Sequence, residues 1–145
     1  MNVKFGLDTS CIVPLLSVGH MQHAPTLEEY TARLRRAEQP VIPVQALLES
    51  YSVLTRSPAP LFISPQQVRR MLVENFAEIA EFPALSPNQC WAGLDELAAR
   101  SLGGGLIYDA VIADSCRQAG AQVLLTWNVR DFLRVAPIGL EIRQP

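Results

Sequence analysis

Four carboxylates fall where a folded chain can gather them: Asp8 in FGLDTS, Glu49 in ALLESY, Asp109 in IYDAVIAD and Asp131 in TWNVRDF. Three lie inside apolar stretches, where an unpaired charge is costly to bury. No lysine or histidine stands inside any of these four motifs. A divalent cation is therefore the leading partner, because hard cations want several oxygen ligands. Such ions activate a water and steady the leaving oxygen of a phosphodiester. Each acid also has a plain structural reading. Asp109 suits a helix start, where the dipole favours a negative charge. Glu49 can be a surface glutamate beside Arg56, and Asp131 a cap for the turn before Phe132.

The elements that must position these acids alternate along the chain. Val3 to Leu7 reads as a buried strand ending at Asp8. Thr9 and Ser10 are suited to cap a helix from Cys11 to Val18. A loop from Gly19 to Pro25 follows, and Thr26 caps an amphipathic helix from Leu27 to Glu38. Val41 and Ile42 form a short strand, and Pro43 opens a helix from Val44 to Arg56. Ser57 to Pro60 reads as a rigid connector. Ser64-Pro65 and Ser86-Pro87 both start helices, with proline at the first helical position. The first runs to about Ala80 and the second to Ser101. Phe82 to Leu85 is a candidate strand between them. A helix from Ile107 to Ala119 is closed by Gly120. Gln122 to Thr126 is a strong strand, Val129 to Leu133 a short helical turn, and Leu140 to Ile142 a last strand.

Short apolar strands alternating with amphipathic helices indicate a parallel sheet covered on both faces. The expected class is α/β, a three-layer α/β/α domain with four to five parallel strands. Ligands in such sheets bind at the carboxyl ends of strands. Asp8 ends the first strand, and Thr126, Asn128 and Asp131 follow a later one, so both groups can share one crevice.

A chain of 145 residues fits a single domain spanning 1–145. A hydrophobic fraction of 49% and a mean hydropathy of +0.16 allow a sizeable core. The charged fraction of 18% rules out a disordered chain. Net charge is -2, so no bulk basicity advertises nucleic acid. The cations are eleven arginines and one lysine, Lys4. Guanidinium forks grip phosphates better than ammonium groups do, although an arginine-rich genome gives the same count. Arg33, Arg35, Arg36 and Arg69, Arg70 read as solvated helix faces. Cys11, Cys90 and Cys116 have no paired spacing and read as reduced core residues. With no signal peptide and no membrane-length apolar run, the expectation is a soluble, cytoplasmic protein.

LDTS near the start, the acid in ALLESY, YDAVIA at a helix start and LLTWNVRDF after a strand together resemble a PIN domain. Within that family they resemble the VapC-type toxin branch, the ribonuclease half of toxin–antitoxin pairs. The resemblance runs through nearly the whole chain, in order. It implies an acidic pocket binding Mg2+ or Mn2+ and hydrolytic cleavage of RNA. It makes Asp8 and Asp109 the main metal ligands and Glu49 the third acid. Thr9, Ser10 and Thr126 match the small hydroxyl positions that orient ligands or substrate. Many members carry an acid where this chain has Asn128; Asp131 is then the fourth acid, with Asn128 a neutral ligand or loop anchor. Arg130, with Arg134, is placed to hold the RNA backbone. A homodimer and an antitoxin that blocks the pocket are also implied, and Leu27 to Glu38 and Val68 to Ile79 are amphipathic enough to form interfaces.

Other readings remain beside this one. A stand-alone RNA-processing PIN nuclease, or a degenerate module that only binds RNA or protein, shares the same motifs. A receiver-like module needs a paired acid, a phospho-acceptor and a late lysine, which the chain lacks. A haloacid-dehalogenase-type phosphatase needs an acid where Ser10 stands. Asp114 is five residues beyond Asp109, roughly 140° around a helix, and reads as a peripheral charge facing Arg117. His20 and His23 read as solvated loop residues. Gly103 to Gly105 lacks the Lys-Ser/Thr of a phosphate loop. It is either a flexible link or a place where backbone passes close to the pocket. Trp127 either stacks on a base or packs beside the sheet.

Overall fold

The computed structural model describes residues 2–56 and 62–145. The connector read at Ser57 to Pro60 lies outside the described residues. The central strand, β1 (Lys4–Leu7), pairs in parallel with β2 (Gln39–Val41) on one side and β3 (Val123–Leu125) on the other. β4 (Glu141–Arg143) lies parallel beside β3, so the order is β2-β1-β3-β4. The chain leaves β1 towards β2 and later returns to its other side. The β1/β3 seam is therefore where the strand order reverses, the position at which parallel sheets leave a crevice.

Helices complete a three-layer α/β/α arrangement. α1 (Thr9–Leu16) packs on α2 (His23–Arg35) and α3 (Val44–Thr55), and α3 packs on α4 (Pro65–Phe76). α5 (Pro87–Ala99) packs on α6 (Leu106–Gln118), and α6 on α7 (Val129–Val135). α3 also touches α6 and links the two groups. Phe5, Leu7, Ile12, Ile42, Leu54, Ile112, Leu124 and Leu125 fill the core. Gly6 is needed at the crowded centre of β1: a Cβ there would stand 2.5 Å from Cys116 Sγ.

Both Ser-Pro starts are capping boxes, with Ser64 bonded to Gln67 and Ser86 to Gln89 in both directions. Other boundaries differ from the sequence reading. α1 is capped by Asp8, whose carboxylate accepts from Cys11 N–H, and not by Thr9 or Ser10. α2 begins at His23, so Thr26 lies inside it and donates to Gln22 O at 2.6 Å. Pro25 falls in the first turn, where a missing N–H costs nothing. The strand expected at Phe82 to Leu85 reduces to one bridge between Val41 and Glu81. Pro83 interrupts it, having no N–H to donate.

Several side chains also sit differently. Arg33 is not solvated: it is 5% exposed, paired with Glu29 and Glu38, and its guanidinium lies 5.5 Å from the Phe5 ring centre. Cys90 is exposed, whereas Cys11 and Cys116 are buried as expected. Lys4 holds Glu81 and the Ala119 carbonyl. Among the described residues, no helix is long and apolar enough to cross a membrane.

Candidate active site

The crevice at the β1/β3 seam opens into a cavity of about 360 Å3 lined by Asp8, Glu49, Asp109 and Asn128. Each comes from a different element. Asp8 follows β1, Glu49 projects from α3, Asp109 stands in the first turn of α6, and Asn128 precedes α7. Three of the four predicted acids therefore share one wall, and the fourth stands just behind it. Asp131 takes a 3.1 Å hydrogen bond from Asn128 Nδ2, so Asn128 faces the cavity and Asp131 braces it.

Asp8 is only 3% exposed. Burial pushes its carboxyl up to about 6, opposed by hydrogen bonds from Ser10, Thr126 and Cys11. Ser10 Oγ donates to Oδ1 at 2.7 Å and Thr126 Oγ1 to Oδ2 at 2.7 Å. The two hydroxyls are themselves held by loop amides: Trp127 N–H donates to Ser10 Oγ and Asn128 N–H to Thr126 Oγ1. Thr9 Oγ1 plays the same part for Glu49, donating at 2.9 Å beside Gln45. Glu49 is thus engaged by Thr9 and Gln45, not by Arg56, whose guanidinium bonds Ser52 O.

Asp109 is the exception. It is half-buried and has no hydrogen-bond or ion-pair partner among the described residues. Its carboxyl is pushed up to about 6, first by burial, then by the charges of Asp131, Asp8 and Glu49. Three negative neighbours without a cation leave a surplus of charge at one point. The donors there are carboxylate, hydroxyl and carboxamide oxygens, the hard set that Mg2+ and Mn2+ prefer. Among the described residues, no three acids, histidines or cysteines are already drawn into a closed metal cage. The oxygens of Asp8 and Glu49 instead point to their hydroxyl partners. The residues present fit a hard divalent ion in donor chemistry and charge.

Other predicted residues fall outside the cavity. Arg130 is exposed on α7 and Arg134 gives its carbonyl to Arg100. Asp114 points elsewhere, as helical geometry required, and shares a separate hollow with Arg117 without an ion pair between them. Glu96 lines that hollow too and, after burial, raises the Asp114 carboxyl, while Arg117 Nε donates to Ile138 O. Trp127 is not free to stack: it packs on the core and its Nε1–H donates to Thr26 Oγ1 at 2.9 Å. A Cβ at Gly103, Gly104 or Gly105 would meet nothing within 4 Å, so these glycines serve no close approach. His20 and Gln22, read from sequence as loop residues, line the cavity, and so do Val13, Pro14, Val53 and Ile112. No local pattern marks His20 or Gln22.

Comparison with known proteins places the chain in a family and a fold. Ribonuclease VapC27 of Mycobacterium tuberculosis is 32% identical over 143 residues, covering 98% of this chain and 97% of the relative. The crystal structure of Mycobacterium tuberculosis VapC20, a Sarcin-Ricin loop cleaving toxin, superposes with a TM-score of 0.68 at 12% identity, over 92% of this chain and 96% of that one. DNA-bound VapBC from Salmonella typhimurium superposes with a TM-score of 0.69 at 19% identity, over 98% of each chain. At such identities the two structures speak for the fold alone. The PIN domain model matches residues 6–137, from the strand that delivers Asp8 to beyond the helix that carries Asp131. The chain belongs to the PIN domain family, in its VapC branch.

Proposed function

We propose that this protein is a divalent-metal-dependent endoribonuclease, one domain acting as the toxin of a toxin–antitoxin pair. The observation that carries the reading is Asp109, an acid without a partner among the described residues that shares one cavity with Asp8 and Glu49, its carboxyl raised first by burial and then by Asp131, Asp8 and Glu49. Above the range where these carboxyls keep their protons a divalent cation relieves that charge, and such ions held by acids serve the cleavage of phosphodiesters. The VapC27 relative, a ribonuclease, supports RNA as the substrate.

In this reading Asp8 and Asp109 are the main ligands of Mg2+ or Mn2+, with Glu49 and Asp131 secondary. When bound, the ion supplies Lewis acidity: it neutralises the carboxylates and the phosphoryl oxygens. Ser10 and Thr126 hold Asp8 in one orientation, and Thr9 holds Glu49. Asn128 fixes Asp131 against the wall, and Glu49, held at both oxygens by Thr9 and Gln45, positions a second ion or the attacking water. Arg130 holds the RNA backbone outside the cavity. The partners are RNA, a second copy of the chain and an antitoxin, the last suggested by the VapBC assembly of the Salmonella neighbour. The place of action is the cytoplasm.

The test is cleavage of a structured RNA by purified, antitoxin-free protein. Cleavage that needs Mg2+ or Mn2+, stops with chelator and is lost in Asp109→Asn supports the reading. No cleavage by wild type at any concentration of either ion sinks it.

A further inference from the structure

His20 and Gln22, from the segment between α1 and α2, line the acid cavity and have no part in the chemistry above. Gln22 N–H donates to His20 Nδ1 at 3.0 Å. A backbone amide can only donate, so Nδ1 holds the lone pair and the ring proton sits on Nε2. A protonated Nε2 cannot ligate a metal, but it is a good donor. It has no partner among the described residues, and neither does the Gln22 carboxamide.

The ring is part of a built wall. Thr26 Oγ1 donates to Gln22 O at 2.6 Å and accepts from Trp127 Nε1 at 2.9 Å. Trp127 N–H donates to Ser10 Oγ, which donates to Asp8. One run of hydrogen bonds thus ties His20 to Asp8. On the acid side the hydroxyl donors are spent inward, Thr9 on Glu49 and Ser10 and Thr126 on Asp8, and Asn128 spends one N–H on Asp131. Phosphate oxygens accept only, so a substrate seated over the acids finds the unspent donors of His20 and Gln22 in the same cavity lining.

We propose that His20, with Gln22 beside it, is a substrate-contacting residue: its Nε2–H donates to a non-bridging oxygen of the RNA phosphodiester at the acid cavity. This rests on the ribonuclease reading. A donor aimed at charge that grows in the transition state is worth on the order of 100-fold in rate. His20→Phe keeps a flat ring and removes the donor. His20→Gln keeps a donor near the Nε2 position.

The experiment compares both variants with wild type on a short RNA in Mn2+, reading kcat/KM, the melting temperature and the melting shift caused by Mn2+ alone. The expected result is a loss on the order of 100-fold in kcat/KM for His20→Phe, with most activity kept by His20→Gln and an unchanged Mn2+ shift in both. Wild-type kcat/KM in His20→Phe, or an equal loss in His20→Gln, overturns the contact while leaving the nuclease reading intact. A lost Mn2+ shift in His20→Phe would assign His20 to the metal and overturn the proposal as well. A wild type that cuts no RNA overturns both readings together.

Discussion

Thr126 Oγ1 donates to Asp8 Oδ2 at 2.7 Å, across 118 residues of chain, and so locks the end of β3 to the end of β1. Asp8 is 3% exposed and Thr126 fully buried, so this bond has no water to replace it. Thr126→Val keeps the shape and removes the donor. It should destabilise the fold by about 1–3 kcal/mol, the cost of an unsatisfied buried acceptor, whereas Thr126→Ser should lose less. Urea midpoints of the two variants check this; an unchanged midpoint for Thr126→Val would refute it.

Asp109 should be a residue that function keeps at the expense of stability. Asp109→Asn removes a charge crowded by Asp131, Asp8 and Glu49. The variant should lose cleavage by more than 100-fold, on the order of the loss for other central electrostatic groups. It should also melt higher than wild type at pH 7.5 in chelator. A lower melting temperature would argue that Asp109 is stabilised by something other than a cation.

The same charges set a pH dependence for metal-free protein. Asp8 and Asp109 are raised from the ordinary 3.8 to about 6 in the folded state. Between about pH 4 and 6 the folded chain keeps protons that the unfolded chain has released. Stability is therefore greatest below that window and falls as pH rises through it. Chelated protein should gain on the order of 1–3 kcal/mol from pH 7.5 to pH 5, with the half-exposed Asp109 giving the smaller share. Chemical denaturation at both pH values, repeated on the Asp8→Asn/Asp109→Asn pair, measures it. An equal gain in the double variant would place the effect elsewhere.

Cation binding should reverse that penalty. Mn2+ at 100 times its dissociation constant should add about 2.7 kcal/mol to folding stability. The shift should vanish in Asp8→Asn/Asp109→Asn. Thermal melts across a Mn2+ titration decide it, with Ca2+ as a size control.

At the centre of β1, Gly6→Ala should cost about 1–3 kcal/mol, because the new methyl meets Cys116 Sγ. Cys116→Ala in the same chain should recover part of that cost. The interaction energy of the double-mutant cycle is the measurement, and strict additivity would mean that the strand shifts as a whole.

Where local chemistry determines structure, the sequence was readable. The Ser64-Pro65 and Ser86-Pro87 helix starts, the strand ending at Asp8 and the placement of Asp109 in a first helical turn all depend on residues a few positions apart. The errors have long-range causes. Thr26 looks like a cap but is claimed by Trp127, 101 residues away. Arg33 looks solvated until Phe5 and Glu38 close over it. Cys90 was read as core because its neighbours are apolar, yet it faces outward on α5. His20 and Gln22 join the cavity wall only because the hydrogen-bond run from Asp8 through Trp127 and Thr26 reaches them. The four acids stood out because three lie in apolar stretches and their motifs occur in a familiar order, and Asp8, Glu49 and Asp109 do line one cavity. How Asn128 and Asp131 divide their roles needed the geometry of the turn before α7.

The seam between β1 and β3 has a consequence for timing. Asp8 is synthesised 118 residues before its partner Thr126, and the Asn128–Asp131 brace comes later still. β1 can pair with β2 early, yet the crevice has only one side until β3 emerges. A nascent chain therefore carries no assembled site until β3 has been made. Likewise, no N-terminal fragment released before β3 can cut RNA. The cell making this protein meets its activity only once β3 and the turn after it have joined β1.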